Sequence, residues 1–161
     1  MAKSPGEIAK TINIEVQKCG LNASEAITKG DLVSFDSNGD VIAGTTSSTI
    51  YTGFGVALET KTGGSNDGDE SVNVAVGNTY VYVKAGGNIK AYNLVKIGSQ
   101  TTVVAHTQPA YAAGSTPTTA ELDAVNKGYG FTVGRYVGKE GDTTVISDAA
   151  NTDTIIVRLG L

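Results

Sequence analysis

Few residues in this sequence are of types that carry reaction chemistry. There is one cysteine, Cys19, and one histidine, His106. A nucleophile needs a base beside it, and no local signature joins these two, so a Cys–His catalytic pair is not expected. A zinc centre built from His and Cys lacks ligands, and a single cysteine excludes an internal disulfide. Cys19 reads as a small, partly buried residue, and His106 as a solvated loop residue. The stretch Gly128-Tyr129-Gly130-Phe131-Thr132-Val133-Gly134 has the glycine content of a phosphate loop. That chemistry needs a helix after the glycines, and here strand-like residues follow, so close packing of β backbone is the reading. Two acidic loops, Asp36-Ser37-Asn38-Gly39-Asp40 and Asn66-Asp67-Gly68-Asp69-Glu70, have calcium-type ligands. Neither is followed by the spaced glutamate of an EF-hand, and Asp, Asn and Gly are ordinary hairpin residues. Glycosidase chemistry asks for two carboxylates across a cleft with stacking aromatics. The chain has no Trp, and no acidic pair on adjoining strands stands out. Asn22-Ala23-Ser24 is a glycosylation sequon that has meaning only on a secretory route. No catalytic, cofactor-binding or metal-ligating set is therefore assigned.

Composition narrows the classes further. Hydrophobic residues make up 40% of the 161 and charged ones 17%, which is the balance of a folded domain and not of a charged disordered segment. The net charge is −4 and the cations are scattered, so the basic stripe of a nucleic-acid binder is missing. No apolar run approaches the ~20 residues of a membrane span, and no apolar stretch follows the first residues as in a secretory signal. The expected partners include neither nucleic acid nor membrane, and the expected site of synthesis is the cytoplasm. The apolar material is mostly Val, Ile, Ala and Leu, beside 21 Gly. This mixture favours short strands joined by tight turns.

Residues 1–11 read as an extended N-terminal arm, interrupted by Pro5 and Gly6. Ile12-Asn13-Ile14-Glu15-Val16 alternates as a strand does, and a single β domain is expected over 12–161. Within it the sequence repeats, about 12–78 and 79–161. Ile12 to Val16 corresponds to Tyr80-Val81-Tyr82-Val83. Gly30-Asp31-Leu32-Val33-Ser34-Phe35 corresponds to Asn93-Leu94-Val95-Lys96-Ile97. Val41-Ile42-Ala43, reached through the hairpin signal Asn38-Gly39, corresponds to Thr102-Val103-Val104-Ala105. Thr52 to Glu59 corresponds to Val133 to Glu140, and Val72 to Gly77 to Ile155 to Gly160. Two copies of a small meander pack together as one barrel or sandwich. The second copy has an insertion at about 106–127. There Thr118-Thr119-Ala120-Glu121 matches a capping box, Leu122 and Val125 are expected to face inward, and Gly128 closes the short helix. Such an excursion is either an interaction element or plain surface.

The motif order carries a resemblance. Gly30-Asp31-Leu32-Val33, a hairpin, Gly53-Phe54-Gly55-Val56-Ala57-Leu58-Glu59 and a Val-alternating strand ending at Gly77 together resemble the capsid decoration, or cement, proteins of tailed phages. The similarity continues through Gly86 to Val95, with Tyr92-Asn93 where that family often has Gly-Asp. The resemblance implies an all-β fold, a small β-barrel, β-tulip or sandwich, in a virion protein that is no enzyme. It implies trimers on the outer capsid surface that stabilise the shell by bridging copies of the major capsid protein. The arm is the expected contact element, through Lys3, Ile8, Lys10 and Ile12. Two other readings stay open. One is a tail, fibre-base or surface-layer protein. The other is a small glycan-binding or ligand-binding barrel, for which Tyr51, Tyr80, Tyr82, Tyr92, Tyr129 and Tyr136 are the available stacking rings.

Overall fold

The computed structural model describes residues 2–49, 52–107, 116, 118–120, 122 and 130–160. Its regular structure is almost entirely β, as the sequence leads one to expect. The first half carries β1 (Glu15–Gly20), β2 (Ala26–Ile27), β3 (Leu32–Phe35), β4 (Val41–Ala43), β5 (Gly55–Ala57), β6 (Lys61–Thr62) and β7 (Ser71–Val76). The second carries β8 (Tyr80–Ala85), β9 (Leu94–Ser99), β10 (Thr102–Ala105), β11 (Thr132–Lys139) and β12 (Thr154–Leu159). The first strand lies later than the alternation of residues 12–16 suggests: Ile12 and Ile14 precede β1 and stay exposed.

The sheets make the repeat visible. Ladder order in the first half is β1-β7-β5-β3-β4, and in the second β8-β12-β11-β9-β10. Each strand thus occupies the place of its sequence counterpart. Even the register is kept: Leu32 opposite Val56 and Val33 opposite Gly55 recur as Leu94 opposite Arg135 and Val95 opposite Gly134. The second copy closes on itself, because β10 pairs with β9 and, in parallel, with β8 at Lys84 and Ala85. In the first copy the same seam is a single parallel bridge, Leu21 to Val41. Each copy therefore rolls up on its own instead of lending strands to a shared barrel. The sequence cannot signal this, because both arrangements bury the same alternating positions.

Two cores follow from the pleat. Val33, Ala57, Val72 and Val74 point inside the first roll, with Leu21, Ile27 and Val41. Their strand neighbours Leu32, Val56 and Ala75 point the other way and join the core of the second half, with Val81, Val95, Tyr136, Val157 and Leu159. The outer face of the first sheet is thus the contact between the halves. Complete burial of Leu32 and Val56 there contributes roughly 1.5–3 kcal/mol each. The glycines in the equivalent strands β5 and β11 have a packing reason. A Cβ on Gly55 would overlap a Val74 methyl and lie 2.9 Å from the Ala75 carbonyl oxygen, and one on Gly134 would overlap the Arg158 carbonyl oxygen. Close β packing, the reading given to this glycine run, is what Gly134 does.

In the Asn38-Gly39 hairpin only Gly39 takes positive φ, at 86°. Asn38 is instead held by its N–H, which donates to Asp36 Oδ1 at 2.8 Å. In the insertion, Thr119, Ala120 and Leu122 are helical, and the Leu122 N–H donates to the Thr118 carbonyl at 3.0 Å. Leu122 does not face inward: it is 51% exposed, and the second-half core is filled by other residues, three of them from the first sheet. Glu121, Val125 and Gly128 lie outside the described residues.

Candidate binding surfaces

The arm is built into the fold. Residues 6–9 run antiparallel to β8: the Gly6 N–H donates to the Tyr82 carbonyl at 2.8 Å, the Tyr82 N–H to the Glu7 carbonyl at 2.9 Å, and the Ala9 N–H to the Tyr80 carbonyl at 2.8 Å. The arm thereby takes the part of the β8 edge that β10 does not reach. Ile8 bridges Val81 and packs half-buried on the second-half core. Lys3 pairs with Glu7 at 3.5 Å, and its N–H donates to Glu140 Oε2 at 3.0 Å. The Lys10 ammonium sits 4.7 Å from the centroid of the Tyr80 ring. Ile12 is 56% exposed and begins an apolar stripe with Ile14 and Val16. Of the four residues named from sequence, Ile8 is therefore committed inward, Lys3 is tied to acids of its own chain, and Lys10 and Ile12 face outward.

Beside Lys10 lies a feature that reading along the chain missed. The only two arginines, Arg135 and Arg158, sit directly opposite each other on β11 and β12. Tyr80 continues the row on β8, opposite Arg158, and Leu94 continues it on β9, opposite Arg135. Arg135 Nη1 donates to the Tyr92 carbonyl at 2.6 Å, and Arg158 Nε is buried without a hydrogen-bond partner. None of the ion pairs among the described residues involves Lys10, Arg135 or Arg158. The row borders an open depression of about 440 Å³ lined by Tyr92, Asn93, Leu94, His106, Thr107 and Arg135. Tyr92 holds φ at 64°, and its side chain is 56% exposed. The repeat as aligned along the sequence does not give this pairing, because it sets Arg135 against Phe54; the ladders are offset from it by two residues and place Arg135 where Val56 faces Ala75.

The remaining chemistry-bearing residues do not converge. Cys19 is on β1, half-buried against the first-half core, and burial pushes its thiol above the usual range, which disfavours the reactive thiolate. His106 follows β10 in the other half. The two acidic loops do meet: Asp36, Asp40 and Asp67 each place a carboxylate oxygen within 4.8 Å of the others, which is a donor set of the calcium type. Much of its acceptor capacity is already used inside the protein. Asp36 takes the Asn38 and Asp40 N–H groups and the Asn22 amide, and these bonds hold its carboxyl below the ordinary range, that of Asp40 first. Asp67 takes the Ala23 N–H. For sugar stacking, Tyr136 is fully buried and Tyr82 is 7% exposed, and Tyr51 and Tyr129 lie outside the described residues. Tyr80 carries Lys10, which leaves Tyr92 as the one open ring among those described. Among the described residues, then, no two open rings come together for stacking.

The comparison with known families bears on the half that contains β1 to β7. Residues 2–76 match the family of the phage cement protein. This is the family that the Gly-Asp and Gly-Val-Ala motifs resemble, and the match takes in the arm, both acidic loops and the first roll. The match spans 75 of the 161 residues, so it is the first half of the chain that is similar to the phage cement family. No curated protein matches the chain. The matched boundary falls at Val76, the last residue of β7, so it coincides with the end of the first structural copy.

Proposed function

We propose that this chain is a cement protein, that it binds the outer surface of a phage capsid, and that it stabilises the shell by bridging neighbouring copies of the major capsid protein, with three copies grouped at each site. The match of residues 2–76 to the cement family carries this reading. The architecture supports it: two interlocked β-rolls make a stiff body, and its arm is fastened at residues 6–9 and open from Lys10 to Val16. Ile12, Ile14 and Val16 form the arm's outward apolar surface, and Lys10 flanks it. Lys3 and Ile8 act by fixing the arm's course. A shell repeats each contact many times, so contacts that are weak singly suffice through multivalency.

The test is to add purified protein to undecorated shells and image the particles. Occupancy saturating at symmetry-related positions, with raised thermal resistance of the shell, is the expected result. Binding that never saturates, or none, refutes the reading. Ile12→Ser is the probe for the arm, because the residue is exposed and its loss leaves the fold intact. Deleting residues 1–11 is a poorer probe, since it removes three backbone hydrogen bonds to β8 as well.

A further inference from the structure

We infer that the outer face of the second roll, the row Leu94–Arg135–Arg158–Tyr80 with Lys10 beside it, is a docking face for a carboxylate-bearing segment of the shell protein. The inference rests on the capsid-binding reading and adds the face and the chemistry of the contact.

The repeat supplies the first argument. The equivalent row in the first copy is Val16, Ala75, Val56 and Leu32. Three of these, Leu32, Val56 and Ala75, are fully or almost fully buried and pack on the second half. The same face of the same small roll is thus an interface once in the chain already. In the second copy Arg135 is exposed and Leu94, Arg158 and Tyr80 are only half-buried, and the middle pair has changed from Val and Ala to Arg and Arg.

Charge supplies the second argument. Like charges directly opposite in a sheet destabilise it, and no acid among the described residues pairs with either arginine. A chain with net charge −4 has ample acid elsewhere, yet its two guanidinium groups stand together with no acid among the described residues paired to them. An incoming carboxylate is bound by guanidinium forks through paired N–H···O bonds, and it removes the repulsion as it binds. The buried, unpartnered Nε of Arg158 marks a donor that the fold leaves unused.

Strain supplies the third. Tyr92 is held in a left-handed conformation that costs an L-residue free energy, its carbonyl is bonded by Arg135, and its ring projects into solvent beside the depression. Exposed tyrosine and arginine at the edge of a depression are the residue types that dominate protein interfaces.

The experiment compares the full-length protein with the Arg135→Gln, Arg158→Gln double variant and with Lys90→Gln, an exposed lysine already paired to Asp148. Two probes are used: undecorated shells, and a fluorescein-labelled hexaglutamate peptide at low salt. The expected result is shell and peptide binding weakened at least tenfold in the double variant and unchanged in Lys90→Gln, with the same circular dichroism in all and the double variant melting no lower than wild type, since it loses the repulsion of the opposed cations. Shells bound equally by wild type and double variant overturn the inference and leave the capsid reading standing. Shells ignored by the wild type overturn the capsid reading, and equal peptide binding by wild type and double variant overturns the docking face by itself. Hexathymidylate competing as well as hexaglutamate also overturns it, by showing an unselective anion patch.

Discussion

Replacing Tyr92 by glycine should make this protein more stable and bind worse. Tyr92 occupies the place of Gly30 in the repeat. In both copies the residue after it donates its N–H back across the turn, Asp31 to the Thr28 carbonyl and Asn93 to the Lys90 carbonyl. In both it also accepts from the centre of the third ladder strand, Asp31 from Ala57 and Asn93 from Tyr136. The turn demands positive φ, 93° at Gly30 and 64° at Tyr92. A left-handed L-residue costs roughly 1–2 kcal/mol, and glycine returns about 0.5–1 kcal/mol of that through its freer unfolded chain. The side chain is 56% exposed, so little packing is lost, and the Arg135 bond is to the backbone carbonyl and survives. The net gain for Tyr92→Gly is about 0.5–1 kcal/mol, or ~1–4 °C in Tm at this chain length. Tyr92→Ala removes the ring but keeps the strained φ, so it should melt below Tyr92→Gly by a difference of about 1 kcal/mol. Thermal and urea unfolding of the three proteins measure this directly. Tyr92→Ala equalling or exceeding Tyr92→Gly would refute the strain argument. With the strain confirmed, unchanged shell affinity in Tyr92→Gly would show that the ring is not retained for docking.

The other expectations concern the scaffold. Gly55→Ala and Gly134→Ala should each destabilise by ~1–3 kcal/mol through overpacking, whereas Gly87→Ala, whose Cβ meets nothing within 4 Å, should be near neutral; chemical denaturation distinguishes them. Tyr136 is fully buried and its hydroxyl donates to the Ser147 carbonyl at 2.6 Å, so Tyr136→Phe should cost about 1–2 kcal/mol at neutral pH. Burial first, then the nearby carboxylates of Asp142, Asp153 and Asp148, push this phenol from 10.0 up to about 12. A raised folded-state pKa means that its stabilisation is intact below pH 10.0 and is lost as pH rises towards about 12. Melting curves across that window should show a decline that Tyr136→Phe lessens; an identical decline in both would refute the assignment. At acid pH, Asp142, Asp148 and Asp153 sit below the ordinary 3.8, each held first by a side-chain hydrogen bond, from Ser147, Lys90 and Lys139 in turn. Stability they confer is present above that value and fades as pH falls through their lowered ones, which Asp142→Asn should lessen in an acid titration.

Much of the fold is legible in the sequence because a β-strand announces itself by alternation, and a duplicated meander announces it twice. Leu32 with Leu94 and Val74 with Val157 can be paired on paper, and the ladders pair them in space, whereas Gly134 aligns with Gly53 on paper and takes the place of Gly55 in the ladder. What alternation cannot say is which of a strand's two faces meets solvent. Leu32, Val56 and Ala75 look like ordinary strand residues, yet they form the contact between the halves. The arm shows the same limit: Ile8 and Ile12 are both isolated apolar residues in a polar stretch, and only the free edge of β8 decides that one is a bridge partner and the other is exposed.

The same limit explains why the cationic row escaped a linear reading. A basic nucleic-acid stripe clusters in sequence or along one helix, whereas here the two arginines stand 23 positions apart and meet only through the β11–β12 register. Duplication turns this into an inference about function. After a gene segment doubles, one copy's outer face can be spent on holding the pair together, and the first copy has done so with Leu32, Val56 and Ala75. Among the described residues no third roll covers the corresponding positions of the second copy. If they served folding alone, small or neutral polar residues would suffice there. Two opposed arginines, which repel each other in the isolated chain, fit a partner that brings negative charge to them.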